Sequence, residues 1–222
     1  LIGFWQAFGF GFIADDWHQL WRALNNPNVF KIYPIWHPIS ALEFRWLAKW
    51  FGYNPFYWQL LGYSLRVVDA LTITTLAWSL TKSKKIAAFS GLILASTVVG
   101  INSVTWANAH TSAIIIPFIC IGLYFWISSN QQKSLSRYLI GLLFVLLTLW
   151  GDPGRGITVV AMVFLWDFLS YLQDRRRLIW FAGKNLLLVV TGLGLKIIAN
   201  QSDYSLSLVE GDVRAYIYQH PL

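Results

Sequence analysis

Charge is what this sequence has least of. Asp, Glu, Lys and Arg together supply 12% of its 222 residues, where a water-soluble domain carries roughly a quarter. That deficit excludes a water-soluble globule. Cysteine is almost absent too: Cys120 stands alone inside an apolar run, so no intrachain disulfide can form. With no His or Asp beside it in sequence, it reads as a small apolar filler. His-x-x-His, Cys-x-x-Cys and His-Glu-x-x-His spacings are missing, as are the Walker and dinucleotide glycine fingerprints. No Ser or His lies in a nucleophile motif. Repeats of solenoid period, low-complexity tracts and polar linkers are also lacking, so nothing divides the chain.

What remains is apolar and aromatic. Hydrophobic residues make up 56% of the chain and mean hydropathy is +0.52. Thirteen Trp suit a membrane protein with rings at both interfaces better than a sugar-stacking surface. The net charge of +7 is spread over short loops, with no basic helix interleaved with base-stacking aromatics. Nucleic acid is therefore not an expected partner.

The apolar runs set out a topology. The first, about fourteen residues from Leu1, is short for about 30 Å of hydrocarbon. It has neither a basic leader nor a cleavage site and reads as a clipped first helix. Pro27, Pro34 and Pro38 interrupt the stretch that follows. Within it Leu42, Trp46, Leu47 and Trp50 recur at helical spacing, which predicts an amphipathic helix lying in the membrane surface. Further spans are expected at about 55–80, 86–101, 112–127, 138–150, 157–172 and 178–199. Crossing at each one gathers Lys82, Lys84, Lys85, Lys133, Arg137, Arg175, Arg176, Arg177 and Lys184 on one face. The positive-inside rule makes that face cytoplasmic. Asp15, Asp16, Glu43, Asp152, Asp203, Glu210 and Asp212 fall on the other. The expectation is an all-α polytopic transmembrane bundle of about seven spans, the first truncated, with an interfacial helix in its first outer loop. Residues 1–222 read as a single membrane domain truncated at both ends.

Candidate chemistry collects on the outer face. Asp15 and Asp16 follow the first apolar run, where a helix C-terminus disfavours carboxylates and the bilayer makes them costly unless a cation, water or substrate meets them. His18, His37, Asn108, His110, Asp152 and Arg155 reach the same compartment. A carboxylate there can serve as general base. Arg155, or a divalent ion on the acids, can offset charge on a leaving phosphate. Each residue also has a plainer use. An outer His is more often an ordinary surface residue, and Gly151-Asp-Pro-Gly-Arg-Gly156 can be only a tight turn. Inside the second run, Arg66 and Asp69 are three residues apart. They read as a structural pair, with a transport path as the alternative.

The order of these features resembles the GT-C glycosyltransferases, and more closely the protein O-mannosyltransferase branch and its bacterial relatives. Phe12-Ile-Ala-Asp-Asp-Trp17 is similar to their first-loop acidic motif. Trp36-His-Pro-Ile-Ser-Ala-Leu42 through Phe51-Gly-Tyr-Asn-Pro-Phe-Tyr57 resembles their Arg-Pro-Leu segment and the Gly-x-x-Pro that follows it. Leu149-Trp-Gly-Asp-Pro-Gly-Arg-Gly156 lies where relatives often carry a Ser-Lys-Glu-type loop. The chain departs from that pattern in having His37 for Arg, and Arg155 as the cation of a loop without Lys-Glu.

The resemblance implies transfer of a sugar from a polyprenyl-phosphate donor to an acceptor hydroxyl, on the outer face of a bacterial plasma membrane. It implies Asp15 as base or metal ligand, Asp16 as its partner, and a divalent cation such as Mg or Mn. His37, His110, Asp152 and Arg155 would contact substrate. The rival is a non-enzymatic membrane protein, either a transporter or an accessory subunit of a larger complex.

Overall fold

The computed structural model describes residues 8–9, 11–12, 15–26, 38–96, 107–173 and 178–200. Among them every regular element is helical. α1 (Asp15–Asn25) and α2 (Pro38–Phe51) precede α3 (Pro55–Thr81) and α4 (Lys84–Ser96). A 3₁₀ turn, Ala107–Ala109, leads into α5 (His110–Gln132). Then come α6 (Leu135–Gly151), α7 (Pro153–Gln173) and α8 (Leu178–Asn200).

Helix ends follow local chemistry. Asn54 caps α3, its side chain accepting from Phe56 N at 3.1 Å with Pro55 as the first helical residue. Ser134 caps α6. Lys82 and Lys133 close α3 and α5 in the left-handed conformation (φ 56° and 50°), each returning its N–H to the last turn. Pro117 sits inside α5. It has no N–H to give the carbonyl four residues back, so the helix carries a built-in joint there.

Two cores hold the helices together. Leu20 and Ala23 of α1, Ala41, Phe44 and Ala48 of α2, Trp58 of α3 and Ala107 form one of them. It seats α1 and α2 against the start of α3. Removing a Leu or Phe side chain from water there contributes about 1.5–3 kcal/mol. Trp126, Tyr138, Leu142, Val145, Val159, Val163 and Leu188 form the second core, shared by α5 to α8. Gly141 sets the α5–α6 spacing: a Cβ on it would lie 2.8 Å from the backbone N of Trp126. The sequence marks Gly183 as a second close contact, but a Cβ there meets nothing within 4 Å.

The expected seven spans are not found. Among the described residues three helices are long and apolar enough to cross a membrane: Pro55–Thr81, His110–Gln132 and Arg155–Leu172. α6 has 17 residues, about 25 Å at 1.5 Å each, short of about 30 Å of hydrocarbon. The described part of α4 has 13 residues, and the apolar stretch of α8 covers Ala182–Gly194. Most of the first apolar run lies outside the described residues. The chain is nonetheless an integral membrane protein. Its three long helices are clad in outward apolar side chains such as Leu71, Tyr124, Ile157, Met162 and Leu165, surface that only lipid or another apolar partner covers at low cost.

The helix expected around Leu42–Trp50 exists as α2 but has two apolar faces. Ala41, Phe44 and Ala48 are buried in the first core, whereas Leu42, Trp46 and Trp50 face outward. Side-chain contacts bring two pairs of helix starts together. Trp58, near the start of α3, stacks on His110 at the start of α5. Tyr138, near the start of α6, bonds the Lys184 carbonyl early in α8.

Candidate functional site

The acidic end of the bundle is assembled from α1, α2, α3 and the 107–111 corner. Asp16 is buried, and its carboxylate accepts from the backbone N–H of Ala107 at 3.3 Å. That bond ties the start of α1 to the corner that launches α5. Thr111 Oγ1 lies 2.6 Å from Ser40 Oγ and 3.2 Å from Glu43 Oε2, linking α5 to α2. His110 is fully buried. Its Nδ1 is 3.4 Å from Glu43 Oε1, and its ring stacks on Trp58 with centroids 6.1 Å apart and planes 24° off parallel. Neither Nδ1 nor Nε2 has a hydrogen-bond partner, and Glu43 Oε1 has none either, so the two groups are close without being bonded.

A carboxylate close to an imidazole is a pairing suited to accepting or donating a proton. Glu43 supplies that carboxylate, and the sequence reading passes over it as a polar-face residue of an amphipathic helix. A signal was present, since Glu43 is the one acid on α2 and Ser40 lies one turn before it.

The 151–155 turn comes to the same end. A Cβ on Gly151 would sit 2.7 Å from Ile39 Cδ1 and 2.9 Å from Ile115 Cδ1. The turn thus packs beside the residue that precedes Ser40. Asp152 caps α7 by accepting from Arg155 N at 3.0 Å, and it ion-pairs with the Arg155 guanidinium. Much of Arg155 remains open to the surface, and a guanidinium has five donors.

Of the other expected residues, His18 is half-buried. His37 and the side chains of Asp15 and Asn108 lie outside the described residues. Among the described residues no three of His, Cys, Asp and Glu converge as metal ligands. Because Asp16 is closed over and bonded to Ala107, the described residues do not fit a divalent cation.

Arg66 and Asp69 are both buried in the middle of α3. They interact electrostatically, but neither oxygen of Asp69 has a hydrogen-bond partner. Arg66 instead gives its Nη2 proton to the Leu94 carbonyl on α4.

At the opposite end a second buried polar group appears that the sequence reading misses. Lys184 Nζ lies 2.8 Å from Asn130 Oδ1, 3.3 Å from Ser129 Oγ and 3.4 Å from Asp167 Oδ1. It stands 4.3 Å from the centre of the Trp126 ring. Asp167 also accepts from Asn130 Nδ2 and, at 3.1 Å, from Asn185 Nδ2. Lys184 reads from sequence as one more loop cation, but it is buried. Asp167 inside an apolar run was the available signal.

Compared with known proteins, the chain matches no family model, no curated protein and no solved structure.

Proposed function

We propose that this chain is a membrane glycosyltransferase that moves a sugar from a polyprenyl-phosphate donor to an acceptor hydroxyl. The observation that carries the reading is the gathering at one end of the bundle of the acidic start of α1, the Glu43–His110 pair and the Arg155 turn. In the reaction the acceptor oxygen bonds to the anomeric carbon as the anomeric carbon–phosphate oxygen bond breaks. Asp15, at the start of α1, takes the acceptor proton. Polyprenyl phosphate departs with the bonding pair, and Arg155 offsets its charge. With Glu43 beside it, His110 contacts donor or acceptor, while Asp16 holds the corner in place. Asp152 flanks the same region, and His37 is proposed to contact substrate on the resemblance alone.

By the positive-inside rule this end faces away from the cytoplasm, at a bacterial plasma membrane. The test is sugar transfer from a defined polyprenyl-phosphate donor by purified, reconstituted protein. Asp15→Asn lowers turnover by about 10²–10⁴-fold without loss of folded protein. Full activity in that variant refutes the reading.

One observation favours a second reading, a transporter: the buried Asp69 carboxylate, near Arg66 but without a hydrogen bond, in the middle of a spanning helix. Solute uptake that Asp69→Asn abolishes, with no sugar transfer by the parent protein, decides for it.

A further inference from the structure

A cleft of about 300 Å³ lies between α3 and α4, lined by Thr74, Thr75, Trp78, Lys84, Ala87 and Ala88. It is bounded at both ends. At Gly91 the helices come so close that a Cβ would lie 1.9 Å from Thr74 Oγ1 and 3.0 Å from the Ala70 carbonyl. At the other end the left-handed Lys82 turns the chain directly from α3 into α4.

The chemistry of the cleft is two-sided. Ala87, Ala88 and Trp78 make an apolar wall, and Trp78 is half exposed there. Thr74 and Thr75 donate their hydroxyl protons to carbonyls of their own helix, 2.7 Å to Ala70 and 2.8 Å to Leu71. They therefore offer the cleft little to donate. Positive charge comes from Lys84 at the mouth, with Lys82 and Lys85 next to it in the chain. Residues 70–96 contain no acid, and the described ion pairs join other residues. Among the described residues no carboxylate pairs with these lysines.

Uncompensated cations at the rim of an apolar groove between two helices of a membrane protein complement one kind of molecule, a lipid with an anionic headgroup. We infer that the α3–α4 cleft is a binding site for an anionic phospholipid, its phosphate held by Lys84 with Lys82 and Lys85, and an acyl chain laid along Trp78 and Ala88. The site stands at the opposite end of α3 from Trp58 and His110 and does not depend on sugar transfer.

The test is native mass spectrometry of the full chain from neutral detergent, after incubation with equimolar phosphatidylglycerol and phosphatidylcholine. One phosphatidylglycerol is retained in preference. K84A/K85A reduces that retention about tenfold, while K133A, a cation on another helix end, leaves it unchanged. Ala88→Trp, which fills the cleft without altering charge, also removes the bound lipid. Equal retention of the two lipids overturns the inference, as does a K133A loss as large as that of K84A/K85A. Displacement of phosphatidylglycerol by millimolar inorganic phosphate overturns it too, because the site then recognises phosphate and not lipid. Unchanged elution and helicity of each variant establish that lost binding is not lost folding.

Discussion

Lys184→Met tests the buried charge network most directly. Lys184 and Asp167 are 2% and 3% exposed, and four helices meet on them: Ser129 and Asn130 from α5, Tyr138 from α6, Asp167 from α7, Lys184 and Asn185 from α8. Methionine keeps most of the volume of lysine while deleting its charge and its donors. Asp167 is then a buried carboxylate held only by two side-chain amides. Breaking one partner out of a buried ion pair costs about 3–5 kcal/mol. At about 2–4 °C per kcal/mol for a chain of this size, the melting temperature falls by about 6–20 °C. Asp167→Leu alone strands the ammonium and costs a similar amount. The double variant has no buried charge to strand and recovers most of the loss. The assay is thermal unfolding of detergent-purified protein followed by circular dichroism, run as a double-mutant cycle. A single variant within about 1 kcal/mol of the parent, or a strictly additive double variant, refutes the idea that this pair joins α7 to α8.

Two further changes probe the helix contacts in the same assay. Gly141→Ala drives a methyl into the Trp126 backbone and lowers stability by about 1–3 kcal/mol, whereas Gly183→Ala enters open space and raises it by up to about 1 kcal/mol. Equal effects of the two argue against close α5–α6 contact. Lys133→Gly relieves a left-handed non-glycine residue at the end of α5 and stabilises by about 1 kcal/mol; a loss of stability shows that the Lys133 side chain contributes more than its backbone costs.

That the chain is helical, with apolar segments of membrane-spanning length, was legible because apolar runs recur along it at the scale of whole helices. The count of spans was not. The apolar run within Leu135–Gly151 looks in sequence like any other crossing, and only its length as a 17-residue helix shows the shortfall. His110 was identified from sequence, but its partner was not, because Glu43 lies 67 positions earlier and the contact exists only once α2 docks on α5. Asp152 was picked out for chemistry, yet the structure shows it capping α7, a use its place before Pro153 already offered. Lys184 was misplaced for a related reason. It stands only seven residues beyond the basic run ending at Arg177, and linear distance from a charged loop cannot tell a solvated lysine from one turned into a helix interface.

α5 bears His110 on its first residue and Asn130 about 30 Å further along, so one rod serves both polar ends of the molecule. Pro117 interrupts its ladder between them. The segment ahead of the proline is tied to α2 through Thr111, and the longer part to the lysine of α8 through Asn130. The two polar ends are thus joined through the one turn of that rod that lacks a ladder bond.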